Sequence, residues 1–460
     1  MSANPPMKST GANTLTAVND AGDTEDDAAD LFVATHADNV RYVAAWSKWL
    51  EWNGSVWKVD DTLSVYDKVR HLCRVTYAHD SNLRKKMLNA GAIASVERLA
   101  KADRRVAATI DQWDTDDWLL NTPGGMIDLS KGETYPHDPA EHCTKITAAT
   151  PRGDCPNWRK FLDDVTNGDK ALQGFLQRMA GYGCTGSTKE HALFFCYGTG
   201  GNGKGTFLNT LHDILNDYAV TASMDVFTES RHDRHPTELA ALQGARLVIA
   251  QETDEGRKWA EAKLKALTGG DPITARYMRQ DFFTFLPKFT LIIAGNHKPS
   301  ISNVDEAMRR RLHLVPFTVT IPKEKRDPDL MAKLKSEADG ILHWLVEGVA
   351  EYCHQGLNPP EIVTAATEEY FNDEDTFKQW IEECCNTEPH LHDTPTRLFD
   401  SWKQYAIAAN LEVGTKKTFK ASLESQGFSQ GNSRAKGGRH YAGIEVKPPE
   451  MAPDARDYWE

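Results

Sequence analysis

The chain has 460 residues, of which 40% are hydrophobic and 26% are charged, and its formal net charge is −13 at pH 7. A chain of this length predicts about two to four domains. An acidic protein does not coat nucleic acid by bulk charge, so contact with DNA would require a locally basic surface. The eight cysteines form no Cys-x-x-Cys pair, which argues against a zinc ribbon and favours a reducing compartment.

The apolar runs are too short to span a bilayer, and Phe289–Gly295 is typical of the longest. Residues 1–29 lack the apolar core of a signal peptide, and we expect them to be a disordered, acidic leader. These features predict a cytoplasmic protein without a membrane partner, which would lie in the host cytoplasm if a phage encodes it.

Residues 30–150 predict an amino-terminal α+β domain. Its expected elements are, in chain order, strands at Val40–Val43, Trp49–Trp52 and Ser55–Val59, helical spacing from Thr62 to Ala102, and a turn followed by a strand within Leu120–Leu129. The pair Asn53-Gly54 is typical of a hairpin turn between two of these strands.

Asp114 and Asp116 suggest an alternative, because paired carboxylates also occur in the metal sites of polymerases and primases. The region offers no third carboxylate on a neighbouring strand, and its apolar surroundings suit a capped turn. We therefore predict a turn at this point and no priming active site.

Two predicted helices between Trp158 and Tyr182 lead into the stretch HALFFCYGTGGNGKGTFLNTL at 191–211. An apolar strand, a glycine-rich loop and the start of a helix form the context in which GxxxxGK[ST] is a phosphate site. Lys204 would reach the β- and γ-phosphates of ATP, and the helix amino terminus favours an anion. The residues predicted to bind ATP are Gly198, Gly200, Gly201, Asn202, Gly203, Lys204, Gly205 and Thr206. Position 205 normally supplies the hydroxyl that binds Mg²⁺; here it is glycine, and Thr206 carries the nearest hydroxyl.

Two further buried strands end in polar residues, and we expect the three strand ends near Tyr197, Gln251 and Gly295 to lie side by side at one triphosphate. The run from Arg246 ends at Glu252, which could hold a Mg²⁺-bound water or polarise the attacking water, and Asp254 is a second candidate. A simple helix cap is the competing interpretation of both carboxylates, and it is the stronger one for Asp254. The run Phe289–Gly295 ends at Asn296, which could hold the attacking water against the γ-phosphate.

Between these strands, Ile273–Met278 and Phe282–Leu286 alternate as a hairpin, after a helix at Ala262–Leu267 that stops at Gly269-Gly270. Arg276, Tyr277 and Arg279 lie near its tip and combine cation and aromatic character suited to single-stranded DNA, although an ordinary solvated hairpin has the same pattern.

Arg309, Arg310 and Arg311 precede the apolar strand Leu312–Phe317. They are either a solvated rim or, in a ring ATPase, the source of an arginine that acts on the neighbouring subunit.

The carboxyl-terminal part begins with an amphipathic helix at Asp329–Cys353 and a linker at 356–372. Residues 373–448 predict three helices, one of them capped by Thr394, followed by a β-hairpin, which is a winged-helix pattern, and 449–460 form a tail. Arg434, Lys436 and Arg439 would contact duplex phosphates, with a plain solvated loop as the alternative. Zinc binding is a further alternative for Cys384, Cys385, His390 and His392, although adjacent cysteines rarely share one ion.

Five stretches resemble, in order and spacing, the motifs of virus-type superfamily 3 helicases, specifically the helicase part of phage and plasmid primase–helicase proteins. They are FFCYGTGGNGKGTFLNTL, RLVIAQETDEG, KALTGGDPITARYM, LIIAGNHKP and DEAMRRRLHLVPF, within roughly 155–320. The stretch NTPGGMIDLSKGETYPHDPAEHCTKIT resembles the helicase-associated domain of these proteins. The sequence departs from the family at Gly205, and we expect no primase domain of the kind that such proteins often carry in front.

The resemblance implies an α/β, AAA+-like P-loop ATPase at 151–355 that uses ATP and Mg²⁺. It also implies a homo-oligomer, most simply a hexamer, that moves 3′→5′ on single-stranded and forked DNA, with a separate primase as a further partner. By position it assigns catalytic roles to Lys204, Glu252, Asn296 and, across the subunit interface, Arg310 or Arg311. The metal would be held by Thr206 and Glu252, and Arg276, Tyr277 and Arg279 would line the pore.

The sequence therefore predicts an ATP-dependent replicative DNA helicase of a phage, prophage or plasmid-type element. The alternative is a replication initiator or regulator that uses ATP to assemble on DNA without processive unwinding. A small-molecule P-loop kinase is a more distant alternative, because two more strand ends and an arginine cluster follow the phosphate loop where a kinase would have a lid.

Overall fold

A computed structural model describes residues 22–229, 237–251, 257–278, 281–301, 305–409, 413–433 and 438–448. The chain divides into two compact units: Met1–Pro299 with Arg310–Thr364, and Ser300–Arg309 with Ala365–Glu460. Within the described ranges, no helix is both long enough and apolar enough to cross a membrane.

The helices are numbered here in chain order. They are α1 (Glu25–His36), α2 (Ser64–Thr76), α3 (Ser81–Met87), α4 (Ala90–Ala100), α5 (Pro156–Thr166), α6 (Lys170–Tyr182), α7 (Lys204–Leu215), α8 (Thr237–Ala240), α9 (Glu261–Gly269), α10 (Glu306–Arg309), α11 (Leu330–Ser336), α12 (Ala338–Gln355), α13 (Glu361–Glu374), α14 (Thr376–Cys384), α15 (Pro395–Ala408) and α16 (Lys416–Ser425).

The strands are numbered in the same way. They are β1 (Val40–Val43), β2 (Lys48–Trp52), β3 (Trp57–Val59), β4 (Ala107–Ala108), β5 (Leu119–Thr122), β6 (Gly125–Asp128), β7 (Glu133–Tyr135), β8 (Leu193–Tyr197), β9 (Ala219–Ala222), β10 (Leu247–Gln251), β11 (Ile273–Ala275), β12 (Phe283–Phe285), β13 (Thr290–Gly295), β14 (Leu312–Pro316), β15 (Cys385–Asn386), β16 (His392–Asp393), β17 (Gln430–Ser433), β18 (Gly438–Ala442) and β19 (Glu445–Val446).

The centre of the first unit is a five-stranded sheet in the order β14-β8-β13-β10-β9. All four pairings are parallel, so the carboxyl ends of β8, β13 and β10 lie side by side. The predicted convergence of the strand ends near Tyr197, Gln251 and Gly295 is therefore confirmed.

Both faces of this sheet are covered, which explains why its strands are continuous apolar runs. Successive side chains of β8 point to opposite faces. Phe194 contacts Phe175 of α6 with ring centroids 6.1 Å apart, whereas Phe195 contacts Trp259 at 5.7 Å. Helices α6 and α12 pack closely. A Cβ on Gly181 would come within 2.5 Å of the Gly348 carbonyl carbon, so this approach requires glycine at position 181.

The amino-terminal part of the first unit is α+β, as predicted. Strands β1 to β4 form a mixed sheet, and the predicted hairpin at Asn53-Gly54 joins β2 and β3. The interpretation of Asp114 and Asp116 as capping residues is confirmed, because Asp114 accepts a hydrogen bond from the Thr144 amide at 2.8 Å and Asp116 accepts one from the Trp118 amide at 2.8 Å.

Two predictions for the first unit need correction. The prediction of a turn and one strand within Leu120–Leu129 was incomplete, because β5 pairs antiparallel with β6 and precedes the turn. The single helix predicted at Asp329–Cys353 is two helices, α11 and α12, since Glu337 lies between them in a non-helical conformation.

The second unit contains α14, α15 and α16 followed by the hairpin of β17 and β18. Thr394 caps α15 by accepting a hydrogen bond from the Arg397 amide, as predicted. The sheet order is β16-β18-β17, and all its pairings are antiparallel. The core of the second unit is aromatic, with the Phe377 ring 5.0 Å from that of Trp402 and 5.6 Å from that of Phe419.

Candidate nucleotide-binding site

The glycine-rich loop follows β8 at the carboxyl end of the sheet. Gly198, Gly201 and Gly203 have φ values of 151°, 78° and 85°, a range that favours glycine. A Cβ on Gly198 would collide with the Phe317 carbonyl oxygen, and one on Gly203 would come within 2.5 Å of the Val165 side chain. The backbone can curl here because these three positions carry no side chain, and it leads directly into the amino terminus of α7.

Lys204 is the first residue of α7 and is buried. Its Nζ donates hydrogen bonds to the Gly198 carbonyl at 2.6 Å and to Asn296 Oδ1 at 3.2 Å. Burial lowers the pKa of the ammonium, because desolvation penalises its charged form. An incoming phosphate would restore the solvation that this cation has lost.

The Lys204–Asn296 contact joins the ends of β8 and β13. The end of β10 lies next to them, and there the Gln251 amide donates a hydrogen bond to Asn209 Oδ1 of α7 at 3.0 Å. Glu252, which carries the predicted acidic role, and Asp254 lie outside the described residues.

Gly205 and Thr206 face different parts of the structure. A Cβ on Gly205 would meet only Gln251 Oε1, at 3.9 Å, and so it faces the end of β10. Thr206 instead lines a cavity next to Phe161 of α5. Consecutive helix positions point about 100° apart, so the two positions face different surroundings. The metal-binding role of Thr206 stays a prediction.

The other predicted phosphate-loop residues have distinct settings. Asn202 is buried, and its Nδ2 donates a hydrogen bond to the Phe317 carbonyl at 2.6 Å. Gly200 has open space where a Cβ would stand. Asn202 therefore holds the loop against the chain that follows β14.

The predicted pore hairpin forms from β11 and β12, which pair antiparallel. Tyr277 stacks on Phe283 at 5.3 Å and donates a hydrogen bond from its hydroxyl to the Ala240 carbonyl at 3.2 Å. The Arg276 guanidinium lies 4.9 Å from the centroid of Phe282. Arg279 lies outside the described residues. Tyr277 thus anchors one side of the hairpin while 41% of it remains exposed.

The two candidate finger arginines differ in burial. Arg311 is 7% exposed, and its guanidinium is within 3.3 Å of both Thr268 Oγ1 and His191 Nδ1. Arg310 is exposed. Only an exposed guanidinium can reach a neighbouring subunit, so the geometry favours Arg310.

In the second unit, Arg439 is exposed on β18, while Arg434 and Lys436 lie outside the described residues. Lys417 and Lys420 of α16 are exposed as well. Among the residues that the structure describes, no three His, Cys, Asp or Glu side chains cluster as metal ligands, and this includes the group around Cys384.

Two family models match the chain. One is described as D5 N terminal like and matches residues 29–167, and the other is a family of unknown function, DUF5906, which matches residues 196–311. The second match includes the phosphate loop and ends at the arginine cluster.

Two viral proteins are similar in sequence. The inferred helicase L207/L206 of Acanthamoeba polyphaga mimivirus is 25% identical over 293 residues, which are 58% of this chain and 30% of that protein. The inferred helicase 022R of Frog virus 3 (isolate Goorha) is 26% identical over 273 residues, which are 54% of this chain and 27% of that protein. The predicted resemblance is confirmed. This chain is similar to viral and phage proteins of the superfamily 3 helicase–primase type.

The matched segments cover less than a third of the length of either relative. A similar fold is found in the apo structure of the NrS-1 C-terminal region, with a TM-score of 0.50 and 11% identity. That match covers 90% of this chain and 97% of the other.

Sequence reasoning assigned no role to two arginines: Arg246, which begins the second motif stretch, and Arg326, which lies outside all five stretches. Arg246 is buried at the amino end of β10 and donates hydrogen bonds to the carbonyls of Cys184, Asp116 and Leu119 at 2.8–3.0 Å. Arg326 lies against Gly201 of the phosphate loop, where a Cβ on the glycine would collide with its guanidinium. Only long-range contacts reveal these two positions.

Proposed function

We propose that this protein is an ATP-dependent replicative DNA helicase of a phage, prophage or plasmid-type element, with an AAA+-like motor. The observation that carries the proposal is the contact between Lys204 and Asn296 across two parallel strands. It supports a site in which the phosphate-binding lysine and the residue that orients the attacking water act on one triphosphate.

The residues present fit ATP. Positive φ angles at three glycines form a backbone cradle that a Cβ would fill, and a buried lysine lies beside it. The backbone amides and Lys204 would bind the phosphates, and Asn296 would position water for attack on the γ-phosphate. Hydrolysis in such sites depends mostly on positioning and charge neutralisation.

Mg²⁺ would neutralise phosphate charge when bound. In our proposal Glu252, next to Gln251 at the end of β10, is its acidic partner, and no hydroxyl at position 205 contributes. The open space at Gly205 supports this arrangement, since it leaves room between α7 and β10.

We further propose a ring, most simply a hexamer, in which Arg310 acts on the ATP of the neighbouring subunit. The hairpin of β11 and β12 would contact single-stranded DNA during 3′→5′ movement, and a separate primase would supply primers. The exposed side chains of Tyr277 and Phe282 support the hairpin role, because bases stack on such aromatic surfaces.

The second unit is proposed to be a winged-helix domain that contacts duplex phosphates at a fork. The order of three helices and a hairpin, with β16 next to β18, supports this. Lys417, Lys420 and Arg439 supply exposed cations.

Strand displacement tests the proposal, with the wild type and Lys204→Ala compared on duplexes with a 3′ or a 5′ tail. We expect ATP-dependent displacement of the 3′-tailed duplex, and a loss of at least about 100-fold in ATPase rate for Lys204→Ala because its charge acts on the transferred phosphate.

Matched Lys170→Ala, on the exposed surface of α6, should leave both rates unchanged. Full ATPase activity in Lys204→Ala would contradict the phosphate-site assignment. ATP-dependent assembly on DNA without displacement would favour the initiator alternative.

A further inference from the structure

We propose that Arg326, together with Lys325, binds the phosphates of the nucleotide held by its own subunit, and that the cavity beside them takes a nucleoside triphosphate. This inference rests on the proposed function. Lys325 and Arg326, here called the arm, lie in the chain after β14 and outside the five motif stretches.

The chain after β14 is tied to the phosphate loop at several points. The Phe317 amide donates a hydrogen bond to the Tyr197 carbonyl at 2.8 Å, and the Ile321 amide donates one to the Gly201 carbonyl at 3.0 Å. The hydroxyls of Thr199 and Thr320 are 3.2 Å apart. These contacts hold residues 317–321 in a fixed register beside the loop.

Arg326 follows this segment and places a charged group beside the phosphate loop. Its Nε donates a hydrogen bond to the Ile321 carbonyl at 2.9 Å, which fixes the base of the guanidinium. The outer nitrogens lie against Gly201, so any Cβ at that glycine would displace them. A planar guanidinium with free outer donors matches the geometry of phosphate oxygens.

The cavity has the size and charge of a nucleotide site. Its volume is about 460 Å³, within the usual range for small-molecule sites. Its wall includes the apolar side chains of Phe161, Ile321 and Met331 and the phosphate-loop residues Gly201 and Gly203. This arrangement suits a base and a sugar next to phosphates.

The cavity wall has four cationic and two acidic side chains. Lys160 pairs with Asp164, and Lys333 pairs with Asp327. Within the described part of the chain, no carboxylate pairs with Lys325 or Arg326. The two unneutralised cations are therefore next to the phosphate loop, where a polyphosphate would supply the missing negative charge.

Thr206 also lines this cavity. Its side chain would therefore lie beside a nucleotide bound in this cavity.

Binding of a fluorescent ATP analogue, N-methylanthraniloyl-ATP, to the full chain tests the inference without relying on turnover. We expect Arg326→Ala to raise its Kd by about tenfold, since a charge-assisted hydrogen bond is lost at a solvent-accessible site. The same substitution should change the Kd of the corresponding monophosphate by less than about twofold, because fewer phosphate oxygens are present. Arg326→Lys should lie between these values.

The matched control is Lys323→Ala, which removes an exposed cation from the same segment but not from the cavity wall. It should bind like the wild type. Lys325→Ala provides a second test of the arm, should Arg326→Ala fail to fold as judged by circular dichroism.

The outcomes separate the two proposals. If the wild type binds the analogue and both Arg326→Ala and Lys325→Ala bind it equally well, the arm is wrong and the proposed function stands. An equal loss for triphosphate and monophosphate would also overturn a role at the phosphates. If the wild type binds no nucleotide, the proposed function fails first and the arm fails with it.

Discussion

The two ends of the parallel sheet use their cationic side chains in opposite ways. At the carboxyl end, Lys204 lies beside a glycine cradle and shares its ammonium between one carbonyl and the Asn296 amide. At the amino end, Arg246 and Arg311 are buried among acceptors of their own chain. We expect the first kind of cation to exchange its acceptors for phosphate and the second to stabilise the fold.

This comparison changes how an arginine cluster should be interpreted. Arg310 and Arg311 are adjacent in sequence and equally good candidates for a finger by motif. In the structure, Arg311 is buried and contacts Thr268 and His191, whereas Arg310 is exposed. Exposure, which the motif does not encode, separates the two candidates.

The largest effect should come from Arg246→Leu at the amino end. The substitution leaves three carbonyls without their donor, one of them fully buried, and removes the contact between the guanidinium and the Tyr218 ring at 4.6 Å. We expect a loss of about 3 kcal/mol or more in the free energy of unfolding.

Urea unfolding followed by tryptophan fluorescence measures this loss. The matched exposed substitution Lys170→Gln should change the stability by about 0.5 kcal/mol or less. If Arg246→Leu unfolded at the same urea concentration as the wild type, the stabilising role assigned to Arg246 would be wrong.

The next effect concerns His313, in the middle of β14. Burial lowers the pKa of this imidazole from 6.5 to about 4, and its ring stacks on Phe194 at 5.2 Å. The unfolded chain binds more protons than the folded one between these two pKa values, so stability is fully present above about pH 6.5 and falls as the pH decreases toward 4. The His313 contribution to this loss is on the order of 3 kcal/mol.

Unfolding experiments at pH 7 and pH 4.5 on the wild type and on His313→Phe check this. The phenylalanine variant should lose less stability on acidification, because it removes the group that must be protonated on unfolding. An identical pH dependence in both proteins would show that His313 is not the source.

The smallest effect on folding should come from Gly205→Ser at the carboxyl end. A side chain there meets only Gln251 Oε1 at 3.9 Å, and serine has a better helix propensity than glycine, so stability should change by less than about 1 kcal/mol. The added hydroxyl restores the usual Mg²⁺ ligand, and the Mg²⁺ dependence of ATP binding should shift to lower concentration.

Gly203→Ser is the matched comparison for this variant, because Gly203 lies two residues earlier, at the end of the phosphate loop. Its φ of 85° and the 2.5 Å approach of a Cβ to Val165 predict strain and weaker nucleotide binding. Isothermal titration with ATP at several Mg²⁺ concentrations measures both variants. Equal behaviour of the two would refute the assignment of different neighbourhoods to these glycines.

The amino-acid sequence by itself predicted the parts that depend on local pattern. Continuous apolar runs predicted strands β8, β10 and β13, and the glycine spacing predicted the loop before Lys204. The order of the runs and the family resemblance then predicted that their ends converge, which the sheet confirms.

Only the tertiary structure decided the questions that depend on direction and on distant partners. Gly205 and Thr206 face different surroundings because successive helix positions point in different directions. Arg311 is buried against Thr268 and His191, which are more than 40 residues away in the chain. Arg326 lies beside Gly201 although 125 positions separate them in the chain. A local pattern fixes which face a residue occupies on its own element, but packing between elements fixes what that face meets.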